Sequence, residues 1–515
     1  MAEPSRTRPP GMYLMRATAV NWLYTLLTIV YALFTTPLVV RTLDAELYGV
    51  WSFLNGLLAY SSLFYIGLGA AFIRYLAQYR AQQDRPSANR LASVVFVIYT
   101  AIGTLSLLAC IAIAPFISNF LAVPLAPAAA QQTAVACMLL GGRLLFMFVA
   151  TIFSGVLIAE ERMMMATTIS IAGTVARFAA VPLLLHVGLP LVTLAVIMTV
   201  SAAMEAAAMA IAAFNRVPGL RLRPGVPQRA ELRVLYGFGI RAFFVDLSGW
   251  IINYTDVIVV GAVIGAAGVT AYSIPLQLVT YGRVAVQGML SALLPRLTAY
   301  DTHGEDRALA SAYLRVCRNA NFVAGFIAAS LLTLGMPFLR LWIGEAFSSG
   351  SSMVLVCLAL AGYFQAVGTQ TAVPFYQARQ ALRVPVLVLL AEAAANLALS
   401  LVLARRMGVN GVALGTILPT ICISLLLLPR HLCSTLKIPL KTLVTSAILP
   451  SFVLMIVIVA ANLLLDLWWT PSSYALLAVR TLINVSLAGA VAVAILPPED
   501  IAVVSGLRRH LTHAP

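Results

Sequence analysis

The sequence predicts an all-α, polytopic membrane protein with about fourteen transmembrane helices. Three observations lead there. Of 515 residues, 61% are hydrophobic and only 10% are charged, whereas soluble domains carry about 25% charged residues. No core at this length hides so much apolar surface from water, so the solvent for most of the chain is lipid. Apolar runs of spanning length recur along the whole chain. Basic residues, 33 against 18 acids for a net charge of +15, collect in alternate connections between those runs. Together these exclude a soluble enzyme and a disordered chain. They assign the positive charge to membrane orientation rather than to nucleic acid.

The predicted spans, each close to the roughly 20 residues a bilayer requires, lie near 17–40, 48–72, 92–117, 132–158, 164–186, 190–214, 236–262, 267–298, 314–342, 353–378, 384–404, 409–429, 443–466 and 475–496. The runs are continuous and lack ten-residue alternation, so they are helices rather than barrel strands. The first run is too long for the apolar part of a signal peptide and has no small-residue cleavage site after it. It is therefore expected to remain as a membrane helix. The six cysteines are scattered, with no CxxC or metal spacing, so neither a disulfide framework nor a zinc site is expected.

With the N-terminus in the cytoplasm, 24 of the 33 basic residues fall on the cytoplasmic side. They include Arg74 to Arg90, Arg216 to Arg233, Arg296 to Arg318 and the tails. Only Arg41, Arg340, Arg405 and Arg406 fall outside. The positive-inside rule thus places both termini in the cytoplasm. Trp51, Trp342, Trp468 and Trp469 fall at the outer interface, where amphipathic rings settle.

The segment Pro218–Pro227, with Pro and Gly at both ends and no apolar periodicity, reads as an irregular linker. It separates six spans from eight. A faint repeat supports two halves: a Tyr and small residues follow a tight outer turn at Tyr48 and again at Tyr272. The expected organisation is a bundle at 1–225 (helices 1–6), a second at 226–435 (helices 7–12), and helices 13–14 with a tail at 436–515.

Several segments resemble one family. Leu47-Tyr-Gly-Val-Trp-Ser-Phe and Tyr65-Ile-Gly-Leu-Gly-Ala-Ala-Phe-Ile-Arg74 are similar to the second-helix region of bacterial polysaccharide flippases of the O-antigen and exopolysaccharide type. Asp256-Val-Ile-Val-Val-Gly261 with Val269-Thr-Ala-Tyr272 resembles their seventh-to-eighth helix turn, and Ala292-Leu-Leu-Pro295-Arg-Leu-Thr the end of the eighth. These flippases belong to the multidrug/oligosaccharidyl-lipid/polysaccharide exporter superfamily. The resemblance implies two helical bundles around a central cavity. It implies translocation of polyprenyl-diphosphate-linked oligosaccharide units from the cytoplasmic to the periplasmic face of the bacterial inner membrane, by alternating access. The implied partners are that lipid-linked substrate, membrane lipids, a proton or sodium gradient, and the polymerase and other polysaccharide-assembly proteins; no cofactor is implied.

The residues themselves add candidates. Charged side chains inside a span are costly and face a cavity or a partner. There are nine here: Arg143, Arg177, Arg241, Arg283, Arg480, Glu205, Asp246, Asp256 and Glu392. Arg480, Arg241 and Asp256 lie near span ends, where reaching out to the interface is the competing explanation; for the other six it is structural ion pairing. At about 100° per residue, Ser273, Gln277, Thr280, Arg283, Gln287 and Ser291 share a third of the eighth helix. Similar stripes are Asn21, Thr25, Thr28 and Tyr31 in the first helix and Ser52 and Asn55 in the second. Thr167 to Arg177 in the fifth, Asp246, Trp250, Asn253 and Asp256 in the seventh, and Glu392, Asn396 and Ser400 in the eleventh complete them. Polar contacts between helices account for one or two such stripes. Stripes in both halves, several with a cation, fit a hydrated cavity better.

A cavity with buried arginine suits an anionic passenger, because the guanidinium fork grips phosphate oxygens in pairs and stays charged when desolvated. The expected substrate contacts are Arg283, Arg177, Arg143 and Arg74 for phosphate, with Asn21, Tyr31, Asn55, Gln277, Gln287, Asn253 and Trp250 for sugar. Asp246, Glu392, Glu205 and Asp256 are the ion-coupling candidates, since a buried carboxylate holds a proton or cation differently as its surroundings change. Pro37, Pro275, Pro374, Pro419 and Pro450 are bending points or static kinks. No phosphate loop, HExxH or GxSxG occurs, so an enzyme is not expected. Two readings compete. A polysaccharide polymerase or ligase would carry a charged outer loop, and the longest outer connection, 118–131, is uncharged. A multidrug extruder would carry acids in the first helix, and this one has none.

Overall fold

A computed structural model of the protein describes residues 10–64, 68–223, 225, 229–291, 293–345 and 350–497. Side chains at 10–18, 229–242 and 246 lie outside the described set, so the candidates Arg241 and Asp246 are not placed further. The described residues form helices: α1 Pro10–Ala59, α2 Leu68–Ala81, α3 Arg85–Ile113, α4 Pro127–Ala159, α5 Met163–Leu184 and α6 Pro190–Arg216 come first. They are followed by α7 Arg229–Val263, α8 Ala266–Ser291, α9 Leu294–Thr302, α10 Asp306–Ile343, α11 Ser352–Gln365 and α12 Thr371–Ala378. The last are α13 Arg383–Pro419, α14 Leu426–Thr435, α15 Leu440–Leu443, α16 Leu449–Asp466 and α17 Tyr474–Ile495. The protein is an all-α polytopic membrane protein, as its composition requires.

Eleven stretches among the described residues are long and apolar enough to cross a membrane. One of them, Arg383–Thr435, holds two predicted spans, and another, Ala19–Ala59, holds the first predicted span and the start of the second, whose end falls in the 3-10 turn Tyr60–Phe64 and in α2. Ala19–Ala59 is broken at Asp44, whose φ of 66° leaves the helical region. Its Oδ1 then accepts the amides of Glu46 and Leu47, at 2.8 and 3.0 Å, and restarts the helix as an N-cap does. Arg383–Thr435 is broken at Gly408, whose φ of 59° is open to glycine at little cost. The eighth predicted span is α8, whose polar stripe keeps it outside the eleven.

The chain forms two compact units. The first is Met1–Leu247 with Gly265–Ala267; the second is Ser248–Ile264 with Gly268–Pro515. In the first, α4 packs against α3 and α6. Phe72, Tyr99, Phe148 and Phe153 are buried together there. Helix α3 starts at an Asp84 cap that accepts the Ser87 amide at 3.1 Å, and hydrogen bonds from Ser87 hold the Asp84 carboxyl below its ordinary value. The stretch after α6, expected as an irregular linker, has no regular secondary structure at 220–223. It is not featureless: Leu220 and Leu222 pack on the core of the first unit while Arg221 and Arg223 point out. The period-two pattern Leu-Arg-Leu-Arg is that of an extended segment lying on an apolar surface.

In the second unit α10 packs against α11, α16 and α17. Three π-helical turns interrupt its helices, at Ala366–Gln370, Thr420–Leu425 and Val444–Ile448. Each contains the residue four before a proline: Gln370 before Pro374, Leu425 before Pro429 and Ser446 before Pro450. Proline offers no N–H to that carbonyl, and the widened turn relaxes the broken ladder. Trp468 is exposed, as an interfacial ring should be, but Trp342 is only 5% exposed and stacks on Phe338.

Arg480 does not reach out to the interface; its side chain is fully buried in the α16–α17 hairpin. It donates to Asn462 O at 3.1 Å, Asn462 Oδ1 at 3.2 Å and Asp466 Oδ1 at 2.9 Å, and also to Trp469 O. Its guanidinium lies 4.3 Å from the centre of the Trp469 ring. Arg480→Ala removes the clip and leaves these acceptors without a donor, a loss of about 3 kcal/mol. The thermal midpoint of the purified variant should fall clearly, and an unchanged midpoint would show that the clip contributes nothing.

Candidate functional site

Each unit holds polar side chains deep in apolar helices. In the first unit, Arg143 of α4 donates to Asn55 Oδ1 at 3.3 Å, while Asn55 itself donates to Trp51 O at 2.8 Å. On α5, Arg177 donates to Ser201 Oγ at 2.9 Å and to Thr174 Oγ1 at 3.0 Å. Its Nη1 lies 3.7 Å from Glu205 Oε2 on α6, and Ser170 donates to the other Glu205 oxygen at 2.6 Å. Helical spacing explains the grouping, since Ser170, Thr174 and Arg177 share one face of α5. Tyr31 of α1 lies beside α5, its ring 6.3 Å from that of Phe178. The structure thus brings Asn55 to Arg143, and Glu205 to Arg177. Asn21 and Arg74 are exposed.

In the second unit, Arg283 of α8 donates to Asn253 Oδ1 of α7, to Gln365 Oε1 of α11 at 3.1 Å, and to Thr280 Oγ1 at 3.4 Å. Among the described residues its hydrogen-bond acceptors are all neutral oxygens. Arg177 differs, because Glu205 offsets part of its charge. Glu392, an ion-coupling candidate, accepts from Thr420 at 2.7 Å. A crevice of about 20 Å³, room for a single water, is lined by Arg283, Tyr363 and Gln370. Trp250 stacks on Tyr254 at 4.5 Å, Gln277 donates to Tyr281 at 2.6 Å, and Gln287 is exposed.

A second cluster surrounds Asp256, which is 2% exposed and does not reach out to the interface. Tyr272 and Thr416 each donate to its Oδ2 at 2.6 Å, and Ser400 donates to Oδ1 at 3.3 Å. Asn396 Oδ1 lies buried nearby on α13 without a hydrogen-bond partner. The two arms of α13 must approach closely to build this site. A Cβ at Gly415 would lie 2.4 Å from Ser400 Oγ, and one at Gly411 would lie 2.2 Å from Leu403 O. The Gly411-Val-Ala-Leu-Gly415 spacing supplies that contact. A fully buried carboxylate ringed by hydroxyls holds a proton or a small cation more readily than it stands bare.

Sequence reasoning missed Gln365, Thr416 and Thr420. For the threonines the signal was present as a four-residue spacing, one helical turn, opposite the Glu392–Asn396–Ser400 stripe.

A profile described as "Polysaccharide biosynthesis protein" matches residues 14–300, more than half of the chain. The chain belongs to this family of polysaccharide biosynthesis proteins. The match covers Arg143, Arg177, Glu205, Asp256 and Arg283, and it bears out the resemblance read from the sequence. Among its curated relatives is the "Uncharacterized membrane protein EpsK" of Bacillus subtilis (strain 168), 22% identical over 397 residues, 76% of this chain and 77% of that protein. Among solved structures, lipid II flippase MurJ in an inward closed conformation superposes with a TM-score of 0.70 at 13% identity, covering 93% of this chain and 98% of MurJ. An inward-facing multidrug resistance MATE family transporter of the MOP superfamily gives 0.70 at 15% identity, covering 80% and 95%. These likenesses establish a shared fold.

Proposed function

We propose that the protein is an inner-membrane flippase that carries polyprenyl-diphosphate-linked oligosaccharide units from the cytoplasmic to the periplasmic face by alternating access. The observation that carries this reading is Arg283, a cation deep in apolar helices whose described acceptors are neutral. Such a charge is retained when an anion meets it during the working cycle. Arg143 and Arg177 are the further phosphate contacts, and the amides and rings around them, Asn55, Asn253, Tyr31 and Trp250, suit sugar hydroxyls. Helices of residues 1–225 and 226–435 act as the two bundles, with the last two helices outside them. Asp256, with Glu205, Glu392 and Asp246 as lesser candidates, couples the cycle to a proton or sodium gradient. The membership in a polysaccharide biosynthesis family supports a polysaccharide-linked passenger over a drug.

Deleting the gene should abolish surface polysaccharide while diphosphate-linked repeat units accumulate on the cytoplasmic face of the membrane, and complementation should restore export. Loss of polysaccharide without that accumulation would point to a polymerase or ligase. The cytoplasmic location of both termini rests on the basic-residue asymmetry. Reporter fusions at positions 125 and 225 should give opposite signals, outside and inside.

A further inference from the structure

Helix α3 carries one continuous stripe made of two unlike parts. Pro86, Arg90, Ser93, Val97, Thr100, Thr104 and Leu108 follow one another at steps of three or four residues and so share one face. At the start of the helix this face meets the extended segment after α6. Asn89 Nδ2 donates to Gly219 O at 2.8 Å, Asn89 Oδ1 accepts the Arg221 amide at 3.1 Å, and Ser93 Oγ accepts the Arg223 amide at 2.9 Å. These bonds hold the main chain, and Leu220 and Leu222 anchor it from below. The result is a cleft of about 570 Å³ lined by Arg90, Arg221 and Arg223 with Asn89 and Ser93. Its size is in the range of small-molecule sites, about 300–1,000 Å³.

No carboxylate lines the cleft among the described residues. The described acids at this end of α3 have other partners: Arg85 holds Glu160 at 2.6 Å, Arg80 holds Glu161 at 3.1 Å, and Asp84 accepts the Ser87 amide at 3.1 Å. One turn further along α3 the stripe becomes an open apolar groove of about 520 Å³, lined by Phe96, Val97, Thr100, Thr104, Leu105 and Leu108. A cationic cleft thus leads into an apolar groove at the end of a spanning helix. That sequence of surfaces matches a lipid with a phosphate head and an acyl tail.

We propose that this face of α3 is a binding site for an anionic phospholipid, with the phosphate on Arg221 and Arg223 and one chain along Val97 to Leu108. The guanidinium forks take the phosphate oxygens in pairs, and the tail covers the groove. The site lies within the first unit and is separate from Arg143, Arg177 and Arg283, so it does not depend on the transport reading.

The test uses the purified full chain in phosphatidylcholine nanodiscs, with thermal stability as the readout. One arm adds phosphatidylglycerol to the nanodisc; the other adds inorganic pyrophosphate to the buffer. Phosphatidylglycerol should raise the midpoint along a saturating curve. In Arg221→Gln/Arg223→Gln half-saturation should move at least about tenfold. Arg221→Lys/Arg223→Lys, which keeps the charge without the fork, should retain most of the response. A control pair of equal charge change on α10, Arg307→Gln/Arg315→Gln, should behave as wild type. A saturating response to pyrophosphate that is lost in Arg221→Gln/Arg223→Gln would replace the lipid by a soluble anion and overturn the proposal. So would no response in wild type, or the same loss in the control pair.

Discussion

Arg283→Ala should abolish export while the protein inserts at normal levels. The side chain sits where three neutral acceptors from α7, α8 and α11 converge. Those acceptors orient the guanidinium but do not neutralise it. A diphosphate oxygen that replaced two of them would gain two charge-assisted bonds, each worth about 1.5–3 kcal/mol. Losing both is roughly a hundredfold or more in affinity. Arg283→Lys keeps the charge but gives up the paired grip, and should leave partial export. Surface polysaccharide, normalised to protein in the membrane, separates the two. Full export by the alanine variant would remove Arg283 from the site. The same result at Arg177 and Arg143 would sink the idea of cationic phosphate contacts altogether.

Asp256→Asn should lower export by at least about tenfold, with near-normal stability. The change is nearly isosteric: one Asn oxygen still accepts from Tyr272 and Thr416, and the amide nitrogen takes the place of Oδ1, where the Ser400 hydroxyl, which also donates to Val412 O, is able to accept from it. What it loses is the ability to hold a proton or a cation. A carboxylate as enclosed as this one is too costly to leave bare and charged, so its occupancy should change during a gradient-driven cycle. In vesicles the wild type should respond to collapse of the coupling gradient, and the Asn variant should not. An Asn variant with wild-type export and unchanged gradient sensitivity would reduce Asp256 to a structural anchor between α7 and α13.

Membrane residence and the helical fold were legible because composition and run length report directly on the solvent of the chain. Arg283, Asn253, Arg177 and Glu205 were legible because a polar residue repeating at helical spacing in an apolar run stands out. Their partners were less so. Thr416 and Thr420 bond back to the carbonyls of Val412 and Thr416, at 3.2 and 3.0 Å, as threonines in membrane helices commonly do. Beyond their four-residue spacing, nothing local distinguishes a threonine that also donates to a carboxylate. Arg480 looked free to reach water because its acceptors come from the preceding helix, 14 and 18 residues earlier. The packing of the Leu-Arg-Leu-Arg segment was not legible, because so short an alternation becomes meaningful only beside a neighbouring core.

The π-helical turn at Thr420–Leu425 changes what one helix is able to face. In an unbroken α-helix, residues eleven apart point within about 20° of each other, so Thr420 and His431 would look the same way. The widened turn absorbs one residue and takes back about 100° of rotation. Thr420 is thereby aimed at Glu392, while His431 is aimed at Tyr376, whose hydroxyl lies 2.8 Å from its Nδ1. The two ends of the segment are set roughly a quarter turn out of phase, and each meets a different neighbour. Removing a single residue from the turn would act as a twist rather than a shortening, and one of the two appointments would be missed.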